Sequence, residues 1–280
     1  MARILILVHS AQPFDGSGYY LHGIAGVWRE QGHRVDVVAD LTREHPADVA
    51  IAHVDLTVVP DVFLDYLKRY PVTLNARVRD ISKRSISAHL VRRGDGYRGP
   101  VIVKADRNCG GGPERRLGER AWPWQRRLNK LRARLPWSLR ATFSGADYRV
   151  FDDVRDVPLP ARFNPNLVTE RFLPERDGDF YCLRTWTFLG SAWTHSLSWS
   201  REPVVKARTV VRREDLGDVP EQLLRRRREL GFDYGKFDYV LRDGEPVLFD
   251  ANRTPAARAL PGAVTSSSTR VLAAGLNAFL

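Results

Sequence analysis

Two carboxylates and an amide near the C-terminus, Asp238, Asp250 and Asn252, have the types and spacing to hold a hard cation. Phe237 to Leu241 alternates apolar and polar residues, Arg242-Asp-Gly-Glu-Pro246 carries Asp-Gly turn chemistry, and Val247 to Ala251 reads as a returning strand, so the segment predicts a β-hairpin. Because strand side chains alternate, Asp250 and Asn252 share a face, and Asp238 adds a second carboxylate from the other strand of the same sheet. Such oxygen donors suit Mg²⁺, which keeps several waters and commonly shares its coordination with substrate phosphates. A solvated hairpin with ordinary surface acids fits the same pattern.

A second group of residues points to an anion. Gly99-Pro-Val-Ile-Val-Lys104 is an apolar strand carrying one Lys, and the loop after it holds Gly110, Gly111 and Gly112 in succession. A Lys in a buried strand needs a counter-charge. Consecutive glycines let a loop close over phosphates with its N–H groups exposed. Cys109 has no local His base and reads as a small loop residue.

The elements that must position these groups follow in chain order. Ala2 to Val8 is a buried-strand candidate, Gly18 to Gln31 an amphipathic helix, Arg34 to Ala39 a second strand, Asp48 to Val54 a third, Asp61 to Tyr70 a short helix and Pro71 to Asn75 a fourth strand. Strands alternating with helices predict a parallel, doubly wound sheet. The Asp15-Gly-Ser-Gly18 loop either presents amides to an anion or is a plain connection. Arg213 to Leu230 predicts a helix, as does Arg270 to Phe279, with Ser266 to Thr269 available to cap it.

Composition sets further bounds. A chain of 280 residues with 43% hydrophobic and 28% charged content is long enough for one large domain or two modest ones. The net charge of +11 is carried almost wholly by Arg, since only six residues are Lys. Residues 115 to 140 concentrate eight Arg and one Lys against Glu119 alone, interleaved with Trp122, Trp124 and Trp137. Leu128, Leu131 and Leu135 fall at helical spacing, so one face should pack while the other is basic. Such a helix meets nucleic acid, anionic lipid or an acidic partner, or is simply solvated. Cys109 and Cys182 make no disulfide framework or zinc spacing, and the apolar run Ile4 to Val8 is too short for a signal core or a membrane span. A cytoplasmic protein without a membrane span is expected.

The hairpin, its spacing and the Asp-Ala-Asn ending resemble the metal-binding strands of the ATP-grasp superfamily, with Asp250 where Glu is more usual. The other parts match in order. Thr73 to Leu90 resembles the segment in which a strand leads into a helix bearing a phosphate-facing Lys, with Lys83 or, one residue on, Arg84 at that position. Lys104 and Gly110 to Gly112 resemble the family's strand Lys and flexible phosphate lid. Asn166 to Pro174 resembles the adenine-binding hinge, which implies roles for Glu170, Arg171 and Phe172, with Asp177 and Asp179 toward the ribose. Arg184 matches a position directed at phosphate or substrate, Lys206 and Arg208 stand near the family's triphosphate cations, and Arg253 is implied as a carboxylate clamp.

The resemblance implies an ATP-grasp fold, α/β and α+β, with a pre-ATP-grasp α/β domain over residues 1–76 and an ATP-grasp domain over 77–280. The latter divides into a first lobe, 77–168, and a second, 169–280. It implies ATP and Mg²⁺ as cofactors and an ADP-forming ligase that activates a carboxylate as an acyl phosphate and joins it to an amine. The expected substrate is a small molecule or peptide with a carboxylate. An acidic carrier or peptide on residues 115–140 is one reading of the basic helix, nucleic acid is disfavoured, and a homodimer is left open. A small-molecule kinase of the same fold, a two-domain glycosyltransferase and a non-catalytic nucleotide-binding protein are the competing readings.

Overall fold

The computed structural model describes residues 1–15, 18–92, 94–143, 148–256 and 267–280. The chain opens with β1 (Arg3–Leu7), α1 (Tyr20–Glu30), β2 (Arg34–Val38), β3 (Val49–Ala52), α2 (Asp61–Leu67) and β4 (Val72–Leu74). All four strands are parallel, in the order β2-β1-β3-β4. Alternation along β1 builds two cores: Ile4 and Ile6 pack with Leu21, Ile24 and Trp28 of α1, while Leu5 and Leu7 pack with Tyr66 and Leu67 of α2. The sheet is therefore doubly wound, as its sequence predicts. Only part of the Asp15–Gly18 loop lies within the described residues.

A linking stretch with α3 (Lys83–Ile86) leads to β5 (Val101–Ala105), α4 (Gly112–Ala121), α5 (Gln125–Arg132), β6 (Arg149–Phe151), α6 (Leu159–Arg162) and β7 (Leu167–Arg171). Here β6, β5 and β7 make a small antiparallel sheet. Val101, Val103 and Ala105 face their own core, and Ile102 and Lys104 face the opposite way. The helix expected to pack one face does not: α5 buries no residue, and Trp122, Trp124 and Leu131 are each about 60% exposed. Its side-chain hydrogen bond to α4 is through Glu119, which accepts from Arg115 at 3.1 Å and Asn129 at 2.9 Å.

The remainder is β8 (Glu175–Asp177), β9 (Phe180–Leu189), β10 (Ala192–Ser200), β11 (Val210–Asp215), α7 (Glu221–Leu230), β12 (Tyr234–Arg242), β13 (Glu245–Asn252) and α8 (Ser267–Ala273). Six strands form one antiparallel sheet in the order β11-β10-β9-β12-β13, with β8 beside β9. Arg213 to Asp215, expected to start a helix, belong instead to β11, and the helix begins only at Glu221. The hairpin turn is as its Asp-Gly predicts, with Asp243 at φ 53° and Gly244 at φ 83°. Trp186, Phe188, Phe237 and Tyr239 fill the core beneath this sheet with Leu223 of α7. The last helix, α8, returns to the first sheet, where Trp28 Nε1 donates to the Ala273 carbonyl at 2.9 Å. Ser266 lies outside the described residues. Among the described residues one sheet is parallel and two are antiparallel, not the two equal parallel-sheet halves that the glycosyltransferase reading needs. Among the described residues no helix is long and apolar enough to cross a membrane.

Arg253 ties the first sheet to the hairpin. Its side chain is fully buried and donates to the carbonyls of Val54 at 3.3 Å, Val78 at 2.5 Å and Leu56, with Thr57 at 3.5 Å. Burial pushes its pKa down to about 10. The expected carboxylate clamp is thus engaged elsewhere: the guanidinium satisfies carbonyls of the loop after β3 and of the segment before α3, and has no surface left for a substrate. Arg253→Met should leave those carbonyls unpaired and cost about 3 kcal/mol or more. A melting temperature lower by roughly 6 °C or more is expected; a parental melting curve would show that the clasp contributes nothing.

Candidate functional site

A cleft of about 660 Å³ lies between the small antiparallel sheet and the six-stranded sheet, a size suited to a small-molecule ligand. Ile102, Tyr148, Phe172, Leu183, Val205 and Phe249 give it apolar walls. Lys83, Lys104, Lys206 and Lys236 also line it. Four of the six lysines of an arginine-rich chain therefore meet in one place.

Each lysine is set by its element. Ser82 caps the short helix α3, and Lys83 immediately follows it, 2% exposed, with Nζ 2.6 Å from Asp250 Oδ1. Burial, the largest single influence, pushes the Lys83 pKa down, but Asp250 together with Tyr148 and Glu170 outweighs it and the net shift is upward. Arg84 turns outward to Asp106 and the Pro165 and Leu167 carbonyls, so Lys83 is the residue presented to the cleft. Lys104 on β5 and Glu170 on β7 are diagonal neighbours, because Ile102 opposes Glu170. Their ion pair is 2.5 Å long with both side chains buried. Lys206 sits over the Tyr148 ring, 4.6 Å from its centroid, and burial lowers its pKa.

The hairpin brings the expected oxygen donors together. Asp238 and Asp250 are directly opposed in the β12–β13 pairing, and Asn252 opposes Lys236. The register then slips, so that Phe249 has no partner of its own. This β-bulge turns Phe249 and Asp250, adjacent in sequence, to the same cleft, which simple alternation would forbid. Two facing carboxylates repel, and cations offset this: Lys236 Nζ is 2.8 Å from Asp238 Oδ2, Thr185 donates to Asp238 Oδ1 at 2.9 Å, and Lys83 holds Asp250. Burial alone would raise the Asp250 pKa, yet Lys83, Lys236 and Lys104 hold the carboxyl below the usual carboxylate range.

The donor set fits a hard cation that shares phosphate oxygens. Among the described residues no three His, Cys, Asp or Glu side chains cluster as a self-sufficient metal site. Two carboxylates and one amide oxygen, with a surplus of ammonium groups around them, are what a cation held partly by phosphate needs.

Other expected residues fall elsewhere. Arg184 lies on the opposite face of β9 from the cleft-lining Leu183 and Thr185, where Glu175 binds it at 2.8–3.1 Å. Arg171 is exposed and stacks on Tyr97, 4.9 Å from its ring centroid. Asp177 accepts from Trp199 Nε1 at 2.9 Å on the exposed β8, and Asp179 is exposed in the turn after it, so neither lines the cleft. Arg208 is exposed and likewise absent from the lining. Gly110 does line it, but as part of a fixed turn rather than a free lid: Phe143 N–H donates to its carbonyl at 2.9 Å, and a Cβ there would stand 1.9 Å from the Phe143 oxygen. Gly111 and Gly112 lead into α4 and are not in the lining. Lys236, Thr185, Tyr148 and Asn108 are among the cleft residues not expected from the sequence. For Lys236 the signal was present, since it stands two residues before Asp238 on one strand.

No protein-family model matches the sequence, and no curated protein sequence matches it. Solved structures do. The ATP-grasp ligase PsnB complexed with minimal precursor is 13% identical, with a TM-score of 0.55 and 98% of each chain covered. D-cycloserine synthetase DcsG is 12% identical at a TM-score of 0.52, again with 98% of each chain covered. D-alanine–D-alanine ligase from Bacillus anthracis complexed with ATP is 11% identical at 0.51, over 100% of this chain and 96% of that one. At such identities the likeness speaks for the backbone alone, and it spans both the parallel sheet and the two sheets that enclose the cleft: the chain has the ATP-grasp fold.

Proposed function

We propose that the chain is an ATP- and Mg²⁺-dependent, ADP-forming ligase that activates a substrate carboxylate and joins it to an amine. The observation that carries this reading is the convergence of four lysines on the opposed Asp238–Asp250 pair inside one cleft of an ATP-grasp fold. That PsnB is a ligase complexed with a precursor, and that the Bacillus anthracis D-alanine–D-alanine ligase is complexed with ATP, supports both the reaction class and the nucleotide.

In this reading Phe172, Leu183 and Phe249 flank the adenine while Lys83, Lys104, Lys206 and Lys236 offset the triphosphate charge. Asp238, Asp250 and the Asn252 carbonyl would hold Mg²⁺, which when bound would supply neutralisation of the phosphate charge. A substrate carboxylate oxygen bonds to the γ-phosphorus as the bond from that phosphorus to the β,γ-bridging oxygen breaks. ADP departs and leaves an acyl phosphate. The amine nitrogen then adds to the acyl carbon, gives up its proton, and phosphate leaves with the C–O bonding pair. Positioning and fixed charge supply most of the acceleration, so no Ser/His/Asp-type constellation is required. Residues 1–76 as a pre-ATP-grasp domain and 77–280 as the ATP-grasp domain are part of the same proposal.

Asp250→Asn tests the site. It retains shape but removes a charge from the cation site and from Lys83, so turnover should fall by roughly 10² or more, while nucleotide affinity changes less. The measurement is phosphate release with ATP, carboxylate and amine pools across a Mg²⁺ titration. Parental turnover at every Mg²⁺ concentration would sink the ligase reading.

The substrate reading extends to the basic helix. An eight-residue helix with no buried side chain has little intrinsic stability. Among the described residues Arg120, Arg126, Arg127, Lys130, Arg132 and Arg134 form no ion pair. A carboxylate-rich peptide or carrier supplies what this face lacks. Arg126→Glu, Arg127→Glu and Arg134→Glu combined should abolish the salt-sensitive part of binding to a fluorescent glutamate-rich peptide and leave ATP affinity as it was. Equal binding by parent and triple variant at low and high salt would mark α5 as a solvated surface.

A further inference from the structure

Asp55 follows β3 at the point where the parallel sheet reverses its strand order, β1 having sent the chain one way to β2 while β3 lies on its other side. Its side chain is 5% exposed and its carboxylate is engaged on both oxygens. Tyr19 donates to Oδ2 at 2.6 Å, Arg116 of α4 donates to the same oxygen at 3.3 Å, and the Thr254 hydroxyl donates to Oδ1 at 2.9 Å. No sequence motif marks this residue.

Thr254 stands two residues beyond Asn252, and its backbone N–H donates to Asn252 Oδ1 at 2.9 Å. The Thr254 hydroxyl has one proton, and the carboxylate takes it, so its 3.3 Å approach to Asn252 Oδ1 adds no donor. The amide oxygen of Asn252 therefore accepts one firm backbone bond and one long contact, 3.4 Å, from Asn108 Nδ2. The weak contact occupies the lone pair that a cation would take.

The same short loop also holds the other wall. Thr57 Oγ1 accepts from the Asn108 backbone N–H at 3.0 Å, and the Thr57 N–H donates to Glu114 of α4 at 2.8 Å. Residues 55 to 57 thus touch the segment just past Asn252, the turn containing Gly110, and the helix that follows it.

We propose that Asp55 is a positioning residue: through Thr254 it aims the Asn252 amide oxygen at the cation, and through Arg116 it couples that ligand to α4 and the glycine turn. The proposal rests on the nucleotide and metal reading given above. It goes beyond that reading by making cation affinity depend on a contact between the first sheet and α4.

The test is Mn²⁺ binding in the presence of a non-hydrolysable ATP analogue, followed by electron paramagnetic resonance. Thr254→Val and Asp55→Asn should weaken Mn²⁺ binding about 10-fold, the lower end for loss of a group that orients a ligand, and Arg116→Met should weaken it in the same direction. Thr254→Ser keeps the hydroxyl and should bind Mn²⁺ as the parent does. Analogue affinity measured in chelator should be unchanged in all four variants, which a merely structural role would not spare. If Asp55→Asn fails to fold, the Thr254 pair carries the test. Parental Mn²⁺ affinity in Thr254→Val, or equal losses with and without metal, overturns the proposal. A parent protein that binds no Mn²⁺ with the analogue overturns this proposal and the ligase reading together.

Discussion

A guanidinium cannot be left in a protein interior without acceptors, and Arg253 is such a group. Burying it unpaired would cost several kcal/mol, so backbone carbonyls from two separate segments must come to it. One segment follows β3 of the parallel sheet, and the other runs from β4 toward α3, which carries Lys83. Arg253 itself follows Asn252 at the end of β13. The demand of one side chain for acceptors therefore fixes the distance between the first sheet and the hairpin, and with it the approach of Lys83 to Asp250.

Within the cleft the charges are arranged before any ligand arrives. Asp238 and Asp250 oppose each other, and Lys236 and Lys83 each take one of them. Lys104 is held by Glu170 from behind. A polyanion entering this cleft meets ammonium groups already oriented, so little reorganisation is left for the reacting complex. The β-bulge at Phe249 sets the order of these parts, because it lets an aromatic wall and a carboxylate occupy neighbouring positions on the same face.

What could be read from the sequence was what depends on local period and order. The doubly wound sheet, the Asp-Gly hairpin and the grouping of Asp238, Asp250 and Asn252 all follow from alternation and turn chemistry. The roles of arginines did not, since an Arg on a strand reaches whichever acceptor the tertiary fold supplies. Arg184 illustrates where the missing information lay. Trp186 and Phe188 are large, apolar and fully buried, and Arg184 shares their parity on β9. Strand phase alone puts it on the core side with Glu175, whereas family order suggested the phosphate side. Asp177 and Asp179 failed similarly, because they flank a tight turn whose exposure no composition count reveals.

The division of labour between the two basic residue types follows from their chemistry. Lysine presents a compact ammonium whose hydration must be stripped before burial, so it is buried only where a carboxylate or an incoming anion replaces that water. Arginine is more weakly hydrated, stacks on aromatic rings and satisfies several carbonyls at once, as Arg253 does and as Arg171 does on Tyr97. A chain that builds most of its basic exterior and its structural clasp from arginine can concentrate its few lysines in the cleft, as it does with four of six. In such a composition the rare cation marks the site better than the abundant one: three of the four cleft lysines, Lys83, Lys104 and Lys206, were already singled out by order along the chain, and the fourth, Lys236, is found by asking which remaining lysine shares a strand face with a candidate metal ligand.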